Sequence, residues 1–436
     1  MFARRIPLTS SAPQEGAQRM AVYSGGACAV LSSAGDALRY ALQQAAKRLY
    51  AAEQPDADDG DVAGAAYPGE RAAHPDEGTA LPGDGGCLKG KRVFCQDFAP
   101  SGMLRPVLAE GGEPVFVDVS EEDWCMDPVA LETAFENCPD VKIVLLHHNY
   151  GFPGQAVEIK RVCEAHGALL IEDASESFGA SCFSSPAGTI GDYGIVMAGV
   201  DSDHGAAERS GVVQARPEGL PAEYIEKKRR IYERYQEAFE EFGLLSVNPY
   251  SEGAEPGFGI TCAVCDSDLS PEDAWAVGDG DLSPEAAWAV GGGDLSPEAA
   301  WAVGGGDSLP EDVSAESDGG YGDRHGATTP AEIRDALLAF GAEAAPVHMP
   351  FSLQKAFRDC LLVTADGSRR CGDRPAADTL WSTESVGSDI FKTALCLPSD
   401  ISMTEEEQDI IIEIVRCCFD EKNLDRLAWV EAAEVS

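Results

Sequence analysis

Basic residues are scarce in this chain: 32 lysines and arginines stand against 75 aspartates and glutamates in 436 residues, a formal charge of −43. So acidic a surface repels the phosphates of nucleic acids and the head groups of anionic lipids, and neither is expected as a partner. Long apolar runs are missing too. No uncharged apolar stretch reaches the roughly 18 residues of a membrane-spanning helix. The start, MFARRIPLTSSAP, has no apolar segment of the kind a secretory leader needs. The fourteen cysteines are therefore expected as reduced thiols in a cytoplasmic protein, not as a disulfide framework. Cys262 and Cys265 form a CxxC, yet no second CxxC and no paired histidines stand near it, and the alternating run GFGITCAVCD predicts a buried strand. No metal site is expected.

What is present is enough apolar content, 44%, to bury a core in two or more structural units. Residues 32–50 open on serines suited to N-capping and carry apolar positions at helical spacing, so they predict a helix. Residues 51–90 are dominated by Asp, Gly, Pro and Ala and read as a flexible insertion. From Lys91 to Gln214, RVFCQDF, PVFVDV, DPVALETAFENC, VKIVLLHH, AVEIKRVCEAHG, ALLIED and SGVVQA alternate strand with helix patterns. That alternation predicts an α/β fold with a mainly parallel sheet covered by helices on both faces. Ligands of such sheets sit beyond the carboxyl ends of the strands, which singles out HHNYG, EDASES and the segment after GDYGIVM.

The amphipathic stretch EYIEKKRRIYERYQEAFEEFG predicts a long helix leading into a second domain. The division expected is a large domain over 1–215 and, over 216–436, a linker helix with a small C-terminal α+β domain. An acidic, glycine-rich insertion at 266–324 contains tandem copies of a thirteen-residue unit, DLSPEAAWAVGGG in its commonest form, with Trp275, Trp288 and Trp301 one per copy. Those tryptophans are either a binding stripe or the mark of a duplicated surface loop, and lengthening a loop costs only ~0.6 kcal/mol per doubling. TPAEIRDALLAFG and EEEQDIIIEIVRCCFDEK predict two further helices.

Taken in order, GEPVFVDVSEEDWCMDPVALETAFENC, HHNYGFPGQAVEIKRVCEAHGALLIEDASESFGA and GTIGDYGI resemble the DegT/StrS-type family of pyridoxal-phosphate nucleotide-sugar aminotransferases. KKRRIYERYQEAF, PFSLQKAF and LCLPSDISMTEEEQDIIIEIV look like its last third. The resemblance implies a fold-type-I architecture, pyridoxal phosphate as cofactor, a nucleotide-sugar substrate in amino-sugar or surface-polysaccharide biosynthesis, and a homodimer with active sites at the subunit interface. By the same resemblance, Asp173 is the carboxylate that keeps the cofactor's pyridine nitrogen protonated, which its electron-sink chemistry requires. Glu176 lies near the ring oxygen, Phe98 stacks on the ring, and the turn at Ser33 and Gly35 meets the phosphate at a helix N-terminus.

The departures are as informative. Ser202 or Asp203 stands where the family has its Schiff-base lysine, Met197 stands at a phosphate-binding serine, and no lysine occurs between Lys160 and Lys227. Asp36 brings negative charge towards the phosphate position. Ala345, Met349 and Ser352 replace polar or basic groups, and the link from Arg216 to Glu223 is shorter than the family's. Without an amine, the cofactor's aldehyde cannot be anchored and no proton can be shuttled at the substrate carbon. The expectation is a degenerate member, alone as a homodimer or in association with an active relative. Two alternatives stay open: a cofactor-dependent sugar dehydratase with His204 as its base, and a non-catalytic interaction module built on the tryptophan repeats.

Overall fold

Short apolar runs build the centre of the molecule, for which a computed structural model describes residues 5–8, 19–24, 27–31, 33–50, 86–198, 222–243, 245–265, 328–372 and 385–419. The insertion expected at 51–90, apart from 86–90, the run SGVVQA and the whole of 266–324 lie outside those residues. A hairpin of β1 (Arg19–Ser24) and β2 (Ala27–Leu31) precedes helix α1 (Ala34–Tyr50). Strand and helix then alternate through β3 (Arg92–Gln96), α2 (Arg105–Ala109), β4 (Glu113–Val117), α3 (Pro128–Asn137), β5 (Ile143–His147), α4 (Ala156–Ala165) and β6 (Leu169–Asp173). Two short strands, β7 (Ser181–Cys182) and β8 (Ser185–Pro186), lead to β9 (Tyr193–Ala198). After α5 (Ala222–Phe242) come β10 (Leu245–Val247), β11 (Ala254–Glu255), β12 (Cys262–Cys265), α6 (Pro330–Ala339) and β13 (Ala345–Pro346). The hairpin β14 (Leu361–Thr364) and β15 (Gly367–Arg370), α7 (Val386–Thr393), β16 (Ala394–Cys396) and α8 (Glu405–Phe419) complete the described elements.

The main sheet runs β15-β14-β4-β3-β5-β6-β9-β1-β2, parallel from β14 to β9 and antiparallel at both ends. Two of its strands are drawn from residues 361–370, late in the chain. Side-chain alternation divides its core into two faces. On one, Leu38 and Leu42 of α1 pack with Val93, Leu145 and Ile171; on the other, Phe135 of α3 and Ile159 and Val162 of α4 pack with Phe94, Val144 and Leu170. Because both faces are covered, β5 and β6 are buried along their whole length, and an unbroken apolar run suits them better than an alternating one. The fold is thus the expected α/β type.

From β3 the chain steps to β4 on one side and then to β5 on the other, so the order reverses at the β3–β5 boundary. A crevice opens at the carboxyl ends of strands where that happens. A second, antiparallel sheet, β10-β12-β16-β13, packs with α5, α6 and α8 in a third core that includes Tyr235, Phe239, Ile333, Leu337, Ile411 and Val415. This core extends to Phe98, Trp124 and Tyr150, at the mouth of the crevice. Local signals act as the sequence predicts: Thr329 and Glu332 form a reciprocal capping box on α6. The CxxC lies on strand β12, where Cys262 faces Cys396 of β16 with sulfurs 3.7 Å apart. Among the described residues no helix is long and apolar enough to cross a membrane.

One buried carboxylate ties the sheet to the turn before β9. Glu172, fully buried, accepts from the backbone of Gly188, of Ile190 at 3.0 Å and of Gly191 at 2.7 Å, and meets His148 Nε2 at 3.1 Å. His148 Nδ1 in turn accepts from Gly154 N at 2.9 Å, so its proton belongs on Nε2, facing Glu172. The turn passes so close to β9 that a Cβ on Gly194 would fall 1.7 Å from the carbonyl oxygen of Gly188. Removing the carboxylate strands the buried donors of Gly188 and His148 and the half-buried ones of Ile190 and Gly191, a buried donor costing about 1–3 kcal/mol. Glu172→Ala is therefore expected to lower unfolding stability by at least about 3 kcal/mol in a urea titration; a loss below about 1 kcal/mol would contradict this role.

Candidate functional site

The parallel register of β5 and β6 sets His147 beside Asp173, and alternation turns both side chains to the α1 face. His147 is fully buried. Its Nδ1 lies 3.2 Å from Asp173 Oδ2 and its Nε2 lies 3.5 Å from Glu176 Oε2. Neither ring nitrogen makes a directed hydrogen bond, so charge holds the ring in place more than bonding geometry does. Asp173 is itself positioned by the backbone N–H of Ser175, which donates to its Oδ1 at 3.0 Å.

A second histidine enters from the small sheet. His348, on the loop after β13, brings Nε2 to 3.9 Å from the same Glu176 oxygen. Its ring lies on Tyr150, with centroids 4.7 Å apart and planes 13° apart, and its backbone N–H donates to the Tyr150 hydroxyl at 2.7 Å. Tyr150 pays for that position with a left-handed backbone, φ 57°. Gly151 follows at φ 87°, where a Cβ would meet the nitrogen of Gly259 at 2.2 Å.

Phe98 is fully buried, edge-on to Trp124 at 6.2 Å and tilted against Tyr150 at 6.3 Å and His348 at 6.0 Å. Asn149 Nδ2 donates to the carbonyl oxygens of Phe98 and Trp124, fixing this aromatic wall. Next to it Asp97 accepts from the backbone N–H of Ser352 at 2.7 Å and from its hydroxyl at 2.6 Å. Burial, only partly offset by those bonds, pushes the Asp97 carboxyl up to about 7. At the start of α1, Ser33 Oγ accepts from Asp36 N at 3.1 Å and donates to the Asp36 carboxylate at 2.9 Å, an N-cap closed on itself. Gly35 stands inside that turn.

Of the residues singled out from sequence, Asp173, Glu176 and Phe98 thus lie around His147 and His348, Ser33 and Gly35 form the cap of α1, and Ser202, Asp203 and His204 lie outside the described residues. Met197, half-buried on β9, packs with the α1-face core. Ser352 serves Asp97, Met349 packs partly buried against the third core, and Ala345 lies on β13. Three amines bear on the expected chemistry. Lys91 Nζ sits 4.3 Å over the ring of Tyr50, and Lys227 pairs with Glu223 at 3.4 Å. Lys228 is buried, donating to the carbonyls of Gly259 at 2.7 Å and Ser399 at 2.6 Å, and burial draws its pKa down to about 8. His147 and His348 were not among the expected site residues. HHNYG had marked the strand end, but which histidine faces Asp173 depends on register.

Burial alone would lower the pKa of His147, but the charges of Asp173 and then Glu176 outweigh it and raise the ring to about 10. Burial would likewise raise the two carboxylates, yet His147 holds both below the ordinary range, helped at Glu176 by His348. The signs follow by linkage. The contribution of His147 to stability is complete below its ordinary 6.5 and is lost as pH rises through about 10. That of the carboxylates is present above their ordinary 3.8 and 4.5 and fades in acid. An NMR titration of ring nitrogens should find His147 protonated well above neutral pH, with Asp173→Asn bringing its midpoint down. A wild-type midpoint near 6.5 would refute the ion pair.

Known proteins were compared with this chain. A family model described as DegT/DnrJ/EryC1/StrS aminotransferases matches residues 85–196. EpsN of Bacillus subtilis (strain 168), whose name assigns it provisionally to pyridoxal phosphate-dependent aminotransferases, is 26% identical over 75% of this chain and 77% of its own. A UDP-N-acetyl-3-dehydro-alpha-D-glucosamine 3-aminotransferase of Acidithiobacillus ferrooxidans is 31% identical, but over only 28% of this chain and 33% of its own. Among solved structures, DesV of S. venezuelae in complex with a ketimine intermediate is 14% identical, with 88% of this chain and 82% of DesV covered at a TM-score of 0.48. The sugar aminotransferase CalS13 of Micromonospora echinospora is 12% identical, with 91% and 87% covered at a TM-score of 0.48. The matched segment carries β3 to β9, with Asp173 and Glu176 on it, and it is there that the chain is similar to the DegT/DnrJ/EryC1/StrS aminotransferases.

Proposed function

We propose that this chain is a cytoplasmic member of the sugar-aminotransferase family that has lost transamination, and that it works without the cofactor, as a homodimer or beside an active relative. The observation that carries the proposal is the missing amine: between Lys160 and Lys227 the sequence has no lysine, and Ser202 or Asp203 stands at the expected position. Pyridoxal phosphate, where a family member holds it, supplies an electron sink that needs both an anchoring amine and a carboxylate on its ring nitrogen.

The residues of this site do not fit that ring. Asp173 already faces the Nδ1 of His147 at 3.2 Å, and a pyridine nitrogen would have to displace a fully buried imidazole to reach it. Phe98 is fully buried, with Trp124, Tyr150 and His348 as ring neighbours, so no face of it is exposed. The Ser33 hydroxyl is spent on Asp36, whose own charge opposes a phosphate. The names of relatives suggest an amino-sugar ligand class: besides the aminotransferase of Acidithiobacillus ferrooxidans, they include a dTDP-3-amino-3,4,6-trideoxy-alpha-D-glucose transaminase of Micromonospora megalomicea, 32% identical over 22% of this chain and 27% of its own.

Purified protein incubated with pyridoxal phosphate and then desalted should retain no cofactor absorbance. It should form no borohydride-fixed adduct and transfer no amino group from glutamate to a keto-sugar nucleotide. A borohydride-fixed adduct would overturn the proposal, and a retained cofactor that borohydride does not attach to the chain would favour the histidine-based dehydratase instead.

A further inference from the structure

The same crevice holds a set of ligands that aminotransfer does not need. His147, His348 and Glu176 each bring a ligand atom within 4.8 Å of the others, with both Nε2 atoms facing Glu176 Oε2, and they are delivered by three separate segments: the end of β5, the turn after β6 and the loop after β13. Two of these atoms, His147 Nε2 and His348 Nε2, are buried and lack a hydrogen-bond partner. A buried, unsatisfied ring nitrogen is costly, and in a fully buried histidine aimed at a second histidine and a carboxylate it points to a missing ligand.

We infer that His147, Glu176 and His348 bind one divalent first-row transition-metal ion, with zinc as the reference case, and leave one position open towards solvent. The proposal rests on the preceding one to this extent: a cofactor ring on Asp173 would push His147 out of the site.

The donor set is chemically suited to such an ion. Two imidazoles and one carboxylate are a known zinc set with a vacant fourth place, and the same combination holds other divalent metals. Tetrahedral zinc with bonds of about 2.1 Å sets its ligand atoms roughly 3.4 Å apart. Glu176 Oε2 is already 3.5 Å from His147 Nε2 and 3.9 Å from His348 Nε2, so closure asks only for a small movement, chiefly of the His348 loop.

The surroundings are suited too. Without metal His147 carries both ring protons; a bound ion takes the place of the Nε2 proton, which is released to solvent, while Asp173 beside Nδ1 keeps the other, the carboxylate–histidine–metal arrangement that orients ligands elsewhere. Tyr150 orients His348 by stacking and through its hydroxyl. A dication also balances the two carboxylates, Asp173 and Glu176. Access remains, since the side chains of His348 and Glu176 keep 14% and 28% of their exposure.

The test uses full-length protein, stripped with chelator, kept reduced and titrated with Zn2+ and Co2+. One equivalent should bind. The Co2+ complex should show visible d–d bands without the intense thiolate charge-transfer absorption that its many cysteines would give. His348→Ala and Glu176→Gln should each weaken binding by about 10-fold or more. His166→Ala, which removes a histidine paired with Glu132 away from this cluster, should leave it unchanged. Thermal melts establish that each variant is folded; if His348→Ala is not, Glu176→Gln decides.

Failure to retain an ion, a thiolate spectrum, or undiminished binding in the folded variants would overturn the proposal. Titrations repeated after incubation with pyridoxal phosphate separate the two inferences. A borohydride-fixed cofactor adduct then counts against the loss of transamination, whereas metal uptake by the cofactor-free protein is read independently.

Discussion

A histidine held between two carboxylates at the edge of a parallel sheet determines most of what this molecule can do. His147 is buried, and Asp173 and Glu176 approach its two nitrogens. Removing either carboxylate would leave an imidazole in low dielectric with half its compensation, while removing the imidazole would leave two like charges facing each other. The arrangement is therefore self-enforcing. It is a buried polar cluster in which each charge is met by an opposite one.

The fold makes that cluster by geometry rather than by local sequence. Reversal of strand order at the β3–β5 boundary opens the crevice, and the β5–β6 register pairs His147 with Asp173. Packing does the rest. The third core reaches across from the small sheet to Tyr150 and Phe98, and with it comes the loop that carries His348. The strained backbone at Tyr150 lies where the two parts of the chain meet, and the hydroxyl that caps the backbone of His348 belongs to the same residue. Glu172, one residue before Asp173, points the other way and binds the turn before β9, so consecutive carboxylates on one strand serve structure and site separately.

Much of this was legible in the sequence. The short apolar runs around IVLLH and LLIED, alternating with helical patterns, implied strands of a parallel sheet covered on both faces, and both strands are buried throughout. The capping residues of α6 and the serines before α1 announced those helices. EDASES drew attention because it follows a strand, but Asp173 and Glu176 were singled out within it only by resemblance to a known family. His147 was not, because a doublet of histidines does not say which ring faces the neighbouring strand until register is known. His348 was hidden by distance along the chain and by the insertion that separates it from β12. The β14–β15 hairpin was overlooked although Asp366-Gly367 beside its tip is a turn signal; nothing local tells a hairpin to join β4.

Whether the cluster has replaced the cofactor's footing is open to direct observation. Crystals of the protein soaked in pyridoxal phosphate should keep the imidazole of His147 against Asp173, with no density for a pyridine ring between Asp173 and Phe98. A ring seated on Asp173 with His147 swung aside would contradict the account at its centre.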